Sequence, residues 1–196
     1  MNFLAHAFLS GGSEVAILGS LMGDFVKGPL DGRHGPALSA ALALHRQIDM
    51  YTDAHPTVGI SRSRISPPRR RFAGILVDLF YDHFLARHWD DYSPVPLKQF
   101  TARVYGILSA YGDKLPGRLA QIAPRMAQSD WLASYGDLDA VDVAVDRLAQ
   151  RLTRGDRLFG AADELGSNYA ALEADFRAFF PDVIGFASAR AAQSGE

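Results

Sequence analysis

The 196 residues are 48% apolar and 21% charged, with 18 glycines, 10 prolines and no cysteine. That is enough chain and enough hydrocarbon for one domain with its own core, and the composition excludes a disordered segment. Without cysteine there is no disulfide, thiolate metal site or thiol nucleophile, and a formal charge of −2 excludes a generally basic nucleic-acid binder while leaving room for a local patch.

Along the chain, the opening MNFLAHAFLSGGSE lacks the Lys or Arg that begins a secretion signal, and His6 interrupts its apolar run. The run from Val15 to Gly23 is too short to span a bilayer, so a soluble, cytoplasmic protein is expected. Strand-type alternation is nearly absent, while apolar residues recur at i, i+3 and i+4. Ser13 caps a predicted helix towards Leu21, and Pro36 opens one reaching about Asp53, ended by Pro56. Ser66-Pro67-Pro68 introduces a long helix from about Arg69 to Trp89. Further helices are predicted over Leu97–Tyr111, Gly117–Met126, Ala140–Leu152 and Ser167–Phe179, with a short one after Pro181. The expectation is all-α: a single irregular helical domain over residues 1–196, of about 8 helices, with no repeat and no persistent heptad. All six histidines precede residue 89, which concentrates the chemistry in residues 1–90.

Two of these helices carry polar groups where the core should be. At about 100° per residue, His45 falls inside the stripe Leu38, Ala41, Ile48, Thr52, with Asp49 about 40° and Asp53 about 80° away. His83 likewise falls among Phe72, Ile75, Leu76, Leu79 and Ala86, with Asp82 and Asp78 bordering that face. A buried carboxylate costs several kcal/mol unless something compensates it. A shared divalent cation compensates several at once, and imidazole plus carboxylate without sulfur suits Mn, Fe, Mg or a catalytic Zn. The competing reading is a core of His–Asp and Arg–Asp hydrogen bonds.

Other residues could join such a centre. His6 lies among Phe3, Leu4 and Phe8, and Asp24 lies at a helix end in Gly23-Asp24-Phe25. His55 suits a loop ligand, a proton donor or a surface residue. Between Asp53 and Asp78 there is no acidic residue but five arginines, Arg62, Arg64, Arg69, Arg70 and Arg71. Three of them at a helix start oppose the dipole, a misplacement that an anion docking there would reverse. The patch equally suits an acidic protein, membrane headgroups or RNA.

Met1-Asn2-Phe3-Leu4-Ala5-His6, the block Gly23-Asp24-Phe25-Val26-Lys27-Gly28, Leu44-His45-Arg46-Gln47-Ile48-Asp49, Thr52-Asp53-Ala54-His55-Pro56, and Arg70-Arg71-Phe72-Ala73-Gly74-Ile75 running through Asp78 to Asp82-His83-Phe84 stand in one order over residues 1–90. Together with chain length they closely resemble the acyl carrier protein phosphodiesterase family. The resemblance implies a fold like that of HD-type metal-dependent phosphohydrolases and hydrolysis of the phosphodiester joining 4′-phosphopantetheine to a serine of holo-acyl carrier protein. It also implies a divalent cation, Mn²⁺ ahead of Mg²⁺ or Fe²⁺. The adjacent pair here reads Asp-His, in reverse of the HD order.

Resemblance and residue pattern together give one expected site. Asp24, His45, Asp49, Asp82, His83 and His6 would hold the metal, and His55, Arg46 and Asp78 would be catalytic, His55 as proton donor. Lys27 and the five arginines would bind an acidic carrier protein, with neither nucleic acid nor membrane as partner. The alternatives are a phosphohydrolase of nucleotides or other small diesters, and a non-catalytic helical module that binds carrier protein.

Overall fold

The computed structural model describes residues 1–30, 32–152 and 155–194, and every regular element among them is helical. Ten α-helices follow one another among the described residues: α1 (Phe3–Leu9), α2 (Glu14–Met22), α3 (Pro36–Ala54), α4 (Pro56–Arg64), α5 (Ala73–Arg87), α6 (Leu97–Tyr111), α7 (Gly117–Gln128), α8 (Trp131–Ser134), α9 (Leu138–Arg151) and α10 (Asp163–Ser194). Local chemistry sets several of their starts. Ser13 Oγ accepts the Ala16 N–H at 3.1 Å, Pro36 occupies the first turn of α3, and Asp137 accepts the Asp139 N–H at 3.0 Å to begin α9.

Three boundaries differ from the sequence expectation. Pro56 does more than end α3: it opens α4, where a missing N–H costs nothing, and His55 serves as the shared cap. The long helix expected from Arg69 begins only at Ala73, because Pro67–Phe72 forms a 3₁₀ segment. Arg69, Arg70 and Arg71 therefore precede the helix and do not crowd its first turn. At the other end, α10 continues through Pro181 as one element, bent at Asn168 (φ −121°, ψ 15°).

The core is organised around α5, which is buried at Leu76, Val77 and every position from Leu79 to Ala86. Helices α1, α4, α9 and α10 surround it, and Phe176 and Phe179 of α10 meet the Tyr81 ring at 5.5 and 5.6 Å. A polar latch joins α4 to α10: Arg64 donates to both Asp175 oxygens (2.7 and 3.1 Å), and Ser61 donates to Oδ2 at 2.7 Å. On the opposite side α2 and α3 cross at unusually short range. A Cβ on Gly19 would lie 2.4 Å from the Ala41 methyl, and one on Gly23 would lie 2.2 Å from the His45 ring. Glycine at these two sites, four residues apart, is what seats His45 against the end of α2.

Candidate metal centre

Three short segments bring the cluster together. α1 presents His6, α3 presents His45 and Asp49 one turn apart, and the end of α2 presents Asp24. His6 and His45 are 1% and 3% exposed, whereas Asp49 is 38% exposed and Asp24 lies at the surface, so the imidazoles form the floor and the carboxylates the mouth. His6 Nε2 lies 2.9 Å from Asp49 Oδ1, and His45 Nε2 lies 3.2 Å from Asp49 Oδ2 and 3.7 Å from Asp24 Oδ1. The two rings stack with centroids 3.9 Å apart.

The His45 tautomer is fixed from behind. Its Nδ1 lies 2.8 Å from the Ser20 carbonyl, which can only accept, so Nδ1 carries a proton and Nε2 is the nitrogen that faces the acids. Burial pushes His6 down to about 4, leaving it neutral at pH 7. His45 behaves oppositely: despite its burial, the Asp24 and Asp49 carboxylates hold it up to about 9. Asp49 is held well below the usual carboxylate range, its burial outweighed by hydrogen bonds to His45 and His6.

These residues fit a cation. His6, His45 and Asp49 each offer a ligand atom, all within 4.8 Å of one another, and the buried Nδ1 of His6 has no hydrogen-bond partner. Imidazole and carboxylate without sulfur is a donor set for Mn, Fe, Mg or Zn. The α-amino nitrogen of Met1, which the sequence did not signal, lies 3.4 Å from Asp49 Oδ1 and 3.2 Å from Asp78 Oδ1 and so ties the two acids together. Asp78 is thus beside the cluster, its carboxyl pushed up by burial. A cleft of about 210 Å³ opens onto the mouth, lined by Asp24, Lys27, His45, Arg46 and Asp49. Arg46 donates to the Val26 carbonyl at 3.0 Å and steadies that rim.

Asp82 and His83, expected among the ligands, make their hydrogen bonds with other groups than the triangle. Both Asp82 oxygens accept backbone N–H groups of α1, from Leu4 at 2.8 Å and Ala5 at 3.0 Å. This side chain holds the start of α1 from within the core; burial pushes its carboxyl up to about 7 against the pull of those two donors. His83 Nδ1 donates to the Tyr135 carbonyl at 2.8 Å, and its Nε2 lies 2.9 Å from the Tyr169 hydroxyl. The physical reason is that α5 is buried at every position from Leu79 to Ala86, so pointing inwards there does not mean pointing at the cluster.

The expected proton donor His55 is also placed apart from it. Its Nδ1 accepts the Thr57 N–H at 3.3 Å, and its Nε2 lies 3.3 Å from Asp182 of α10. The arginines divide. Arg64 is consumed by Asp175, and Arg69 by Glu164 and the carbonyls of Arg157 and Phe159. Arg62 pairs with Asp53, Arg70 donates through Nε to the Ile65 carbonyl at 2.8 Å, and Arg71 lies over the Phe72 ring. Only Arg62 and Arg70 of the five line a cleft near the cluster.

The sequence profile described as "Acyl carrier protein phosphodiesterase" matches residues 1–183. Two proteins of that description are each 34% identical to the chain. The one from Escherichia coli O157:H7 (strain EC4115 / EHEC) aligns over 192 residues, 97% of this chain and 100% of the relative. The one from Serratia proteamaculans (strain 568) aligns over 185 residues, 94% and 96% respectively. No solved structure was found to match. Among the described residues, no helix is long and apolar enough to cross a membrane.

Proposed function

Because the chain belongs to the acyl carrier protein phosphodiesterase family, we propose that it hydrolyses the diester between 4′-phosphopantetheine and a serine of holo-acyl carrier protein, in the cytoplasm where that carrier works. Water adds its oxygen to phosphorus, the bond from phosphorus to the serine oxygen breaks, and the proton ends on that serine. The products are apo-carrier protein and 4′-phosphopantetheine. The observation that carries the reading is the His6–His45–Asp49 triangle, buried on one side and open on the other to a cleft with Lys27 and Arg46 on its rim.

His6, His45 and Asp49 would hold a divalent cation, Mn²⁺ before Mg²⁺ or Fe²⁺, with Asp24 closing the mouth. Such an ion polarises phosphoryl oxygens and makes bound water acidic. The chain's own residues do the rest. Ser20 fixes the His45 tautomer, and Arg46 and Lys27 offset charge on the non-bridging oxygens. Asp78, buried and one nitrogen removed from Asp49, is the group placed to pass a proton to the departing serine oxygen. With Arg64 and Arg69 engaged internally, the acidic carrier meets the cluster from the Lys27 side.

The test is mass spectrometry of holo-carrier protein incubated with the chain and Mn²⁺. Loss of the prosthetic arm is the expected result, and an unchanged carrier mass overturns the reading.

A further inference from the structure

A second, larger cleft of about 560 Å³ runs between α4 and α5, and it is lined by Asp53, Gly59, Arg62, Ser63, Gly74 and Asp78 among others. It begins where the cluster ends. Asp53 follows Asp49 by one helical turn, about 6 Å along the axis, and Asp78 lines the cleft with its Oδ1 against the same Met1 nitrogen that touches Asp49. A group bound at the triangle therefore has an open polar cleft beside it, one helical turn along α3.

Much of the charge of this cleft is engaged internally. Arg62 is neutralised by Asp53 and Arg70 donates to the Ile65 carbonyl, so an acidic protein segment finds little net attraction inside it. It offers donors and acceptors together: the Asp53 oxygens, the Ser63 hydroxyl, and an Arg62 Nε that is buried without a hydrogen-bond partner. That combination suits a neutral chain carrying amides and hydroxyls.

Two glycines keep the cleft wide. Gly59 lies inside α4 and Gly74 at the start of α5, and neither has a positive φ. A Cβ on Gly59 would have no atom within 4 Å, and one on Gly74 would meet only the Arg62 guanidinium, at 3.7 Å or more. Packing does not demand glycine at either place, unlike at Gly19 and Gly23, and glycine weakens a helix relative to any ordinary residue. Gly74 leaves open space over Arg62, and Gly59 leaves its own stretch of the lining bare.

We infer that this α4–α5 cleft receives the pantetheine arm of the substrate, with Asp53 and Arg62 binding its amides and Gly59 and Gly74 setting its bore. The inference rests on the proposed carrier-protein reaction, because that reaction supplies the arm. It places the carrier protein itself on the Lys27 side of the cluster, so that the diester lies across the triangle.

Free pantetheine, which lacks the phosphate, is the direct probe, titrated by NMR into the Mn²⁺-free chain and into the Gly74→Leu and Gly59→Leu variants. Pantetheine should bind the natural chain and bind either variant at least tenfold more weakly. The variants should melt no lower than the natural chain, since leucine favours helix over glycine. With Mn²⁺, their KM for holo-carrier protein should rise about tenfold while kcat changes far less. If holo-carrier is cleaved but the variants match the natural chain in KM and in pantetheine binding, the arm site falls and the proposed reaction stands. If holo-carrier is not cleaved while pantetheine still binds and leucine displaces it, the reaction falls and the cleft remains a pantetheine site. Absence of pantetheine binding to the natural chain overturns the inference outright.

Discussion

Two pairs of the same residue types occupy corresponding situations in this molecule. His45 and Asp49 lie on α3, and Asp82 and His83 lie on α5, each pair set into an apolar helix. On α3 the partners are other side chains, His6 and Asp24, arriving from separate elements with a cleft in front. On α5 the partners are mostly backbone: the Leu4 and Ala5 N–H groups for Asp82 and the Tyr135 carbonyl for His83. A backbone group holds a polar side chain in one place and ties it to the fold. A cluster of side chains at a surface keeps lone pairs for an outside guest. The difference between structural and chemical use therefore lies in what each pair faces, not in its composition.

The sharpest way to break this comparison is to delete from each pair. His45→Ala or Asp49→Ala should reduce Mn²⁺-dependent holo-carrier hydrolysis to background and abolish Mn²⁺ binding by calorimetry; retained Mn²⁺ affinity in both variants would contradict the assignment. Gly23→Ala should come next. Its methyl would overlap the His45 ring, and a displaced ligand should cost roughly 10- to 100-fold in metal affinity.

Asp82→Ala should act on folding instead. It leaves two buried N–H groups unpaired at the start of α1, a loss of about 3 kcal/mol measurable by urea unfolding, and Asp82→Asn, which keeps one acceptor, should lose less. An Asp82→Ala protein as stable as the natural chain would refute the anchoring role.

The smallest effect is expected at His83, where burial depresses the pKa below its ordinary 6.5. The unfolded chain then binds more protons than the native one below that value, so the His83 contribution to stability is full above about pH 6.5 and is lost as pH falls beneath it, alongside a loss of the same sign from His6. His83→Gln should flatten that slope, which a urea-unfolding series between pH 5 and 7.5 would reveal. An unaltered slope would show that the titration belongs to another group.

Much of the fold is legible from local chemistry: the α3 start at Pro36, the bounds of α6 and the all-helical class follow from proline placement and 3.6-residue periodicity. Where several rules compete, reading fails. Pro56 is both a terminator and a good first-turn residue, and only packing of α4 against α10 decides the second. His6, Asp24, His45 and Asp49 can be nominated from apolar faces and spacing, and the structure brings them together. The separate destination of Asp82 and His83 is not legible, because both lie in the stretch of α5 that is buried at every position, where the sequence marks no inward side. Nor are the ends of Arg64 and Arg69, whose partners Asp175 and Glu164 arrive from about a hundred residues away.

The grip of Asp82 on Leu4 and Ala5 has a dynamic consequence. A seven-residue helix at a chain terminus ordinarily frays, and its amides exchange with solvent in moments. Here two of those amides end on a carboxyl lodged in the central helix, so releasing them strands an acid in the core. Their deuterium exchange should be as slow as that of Leu79 or Phe80, which means His6 keeps its position until the whole molecule opens.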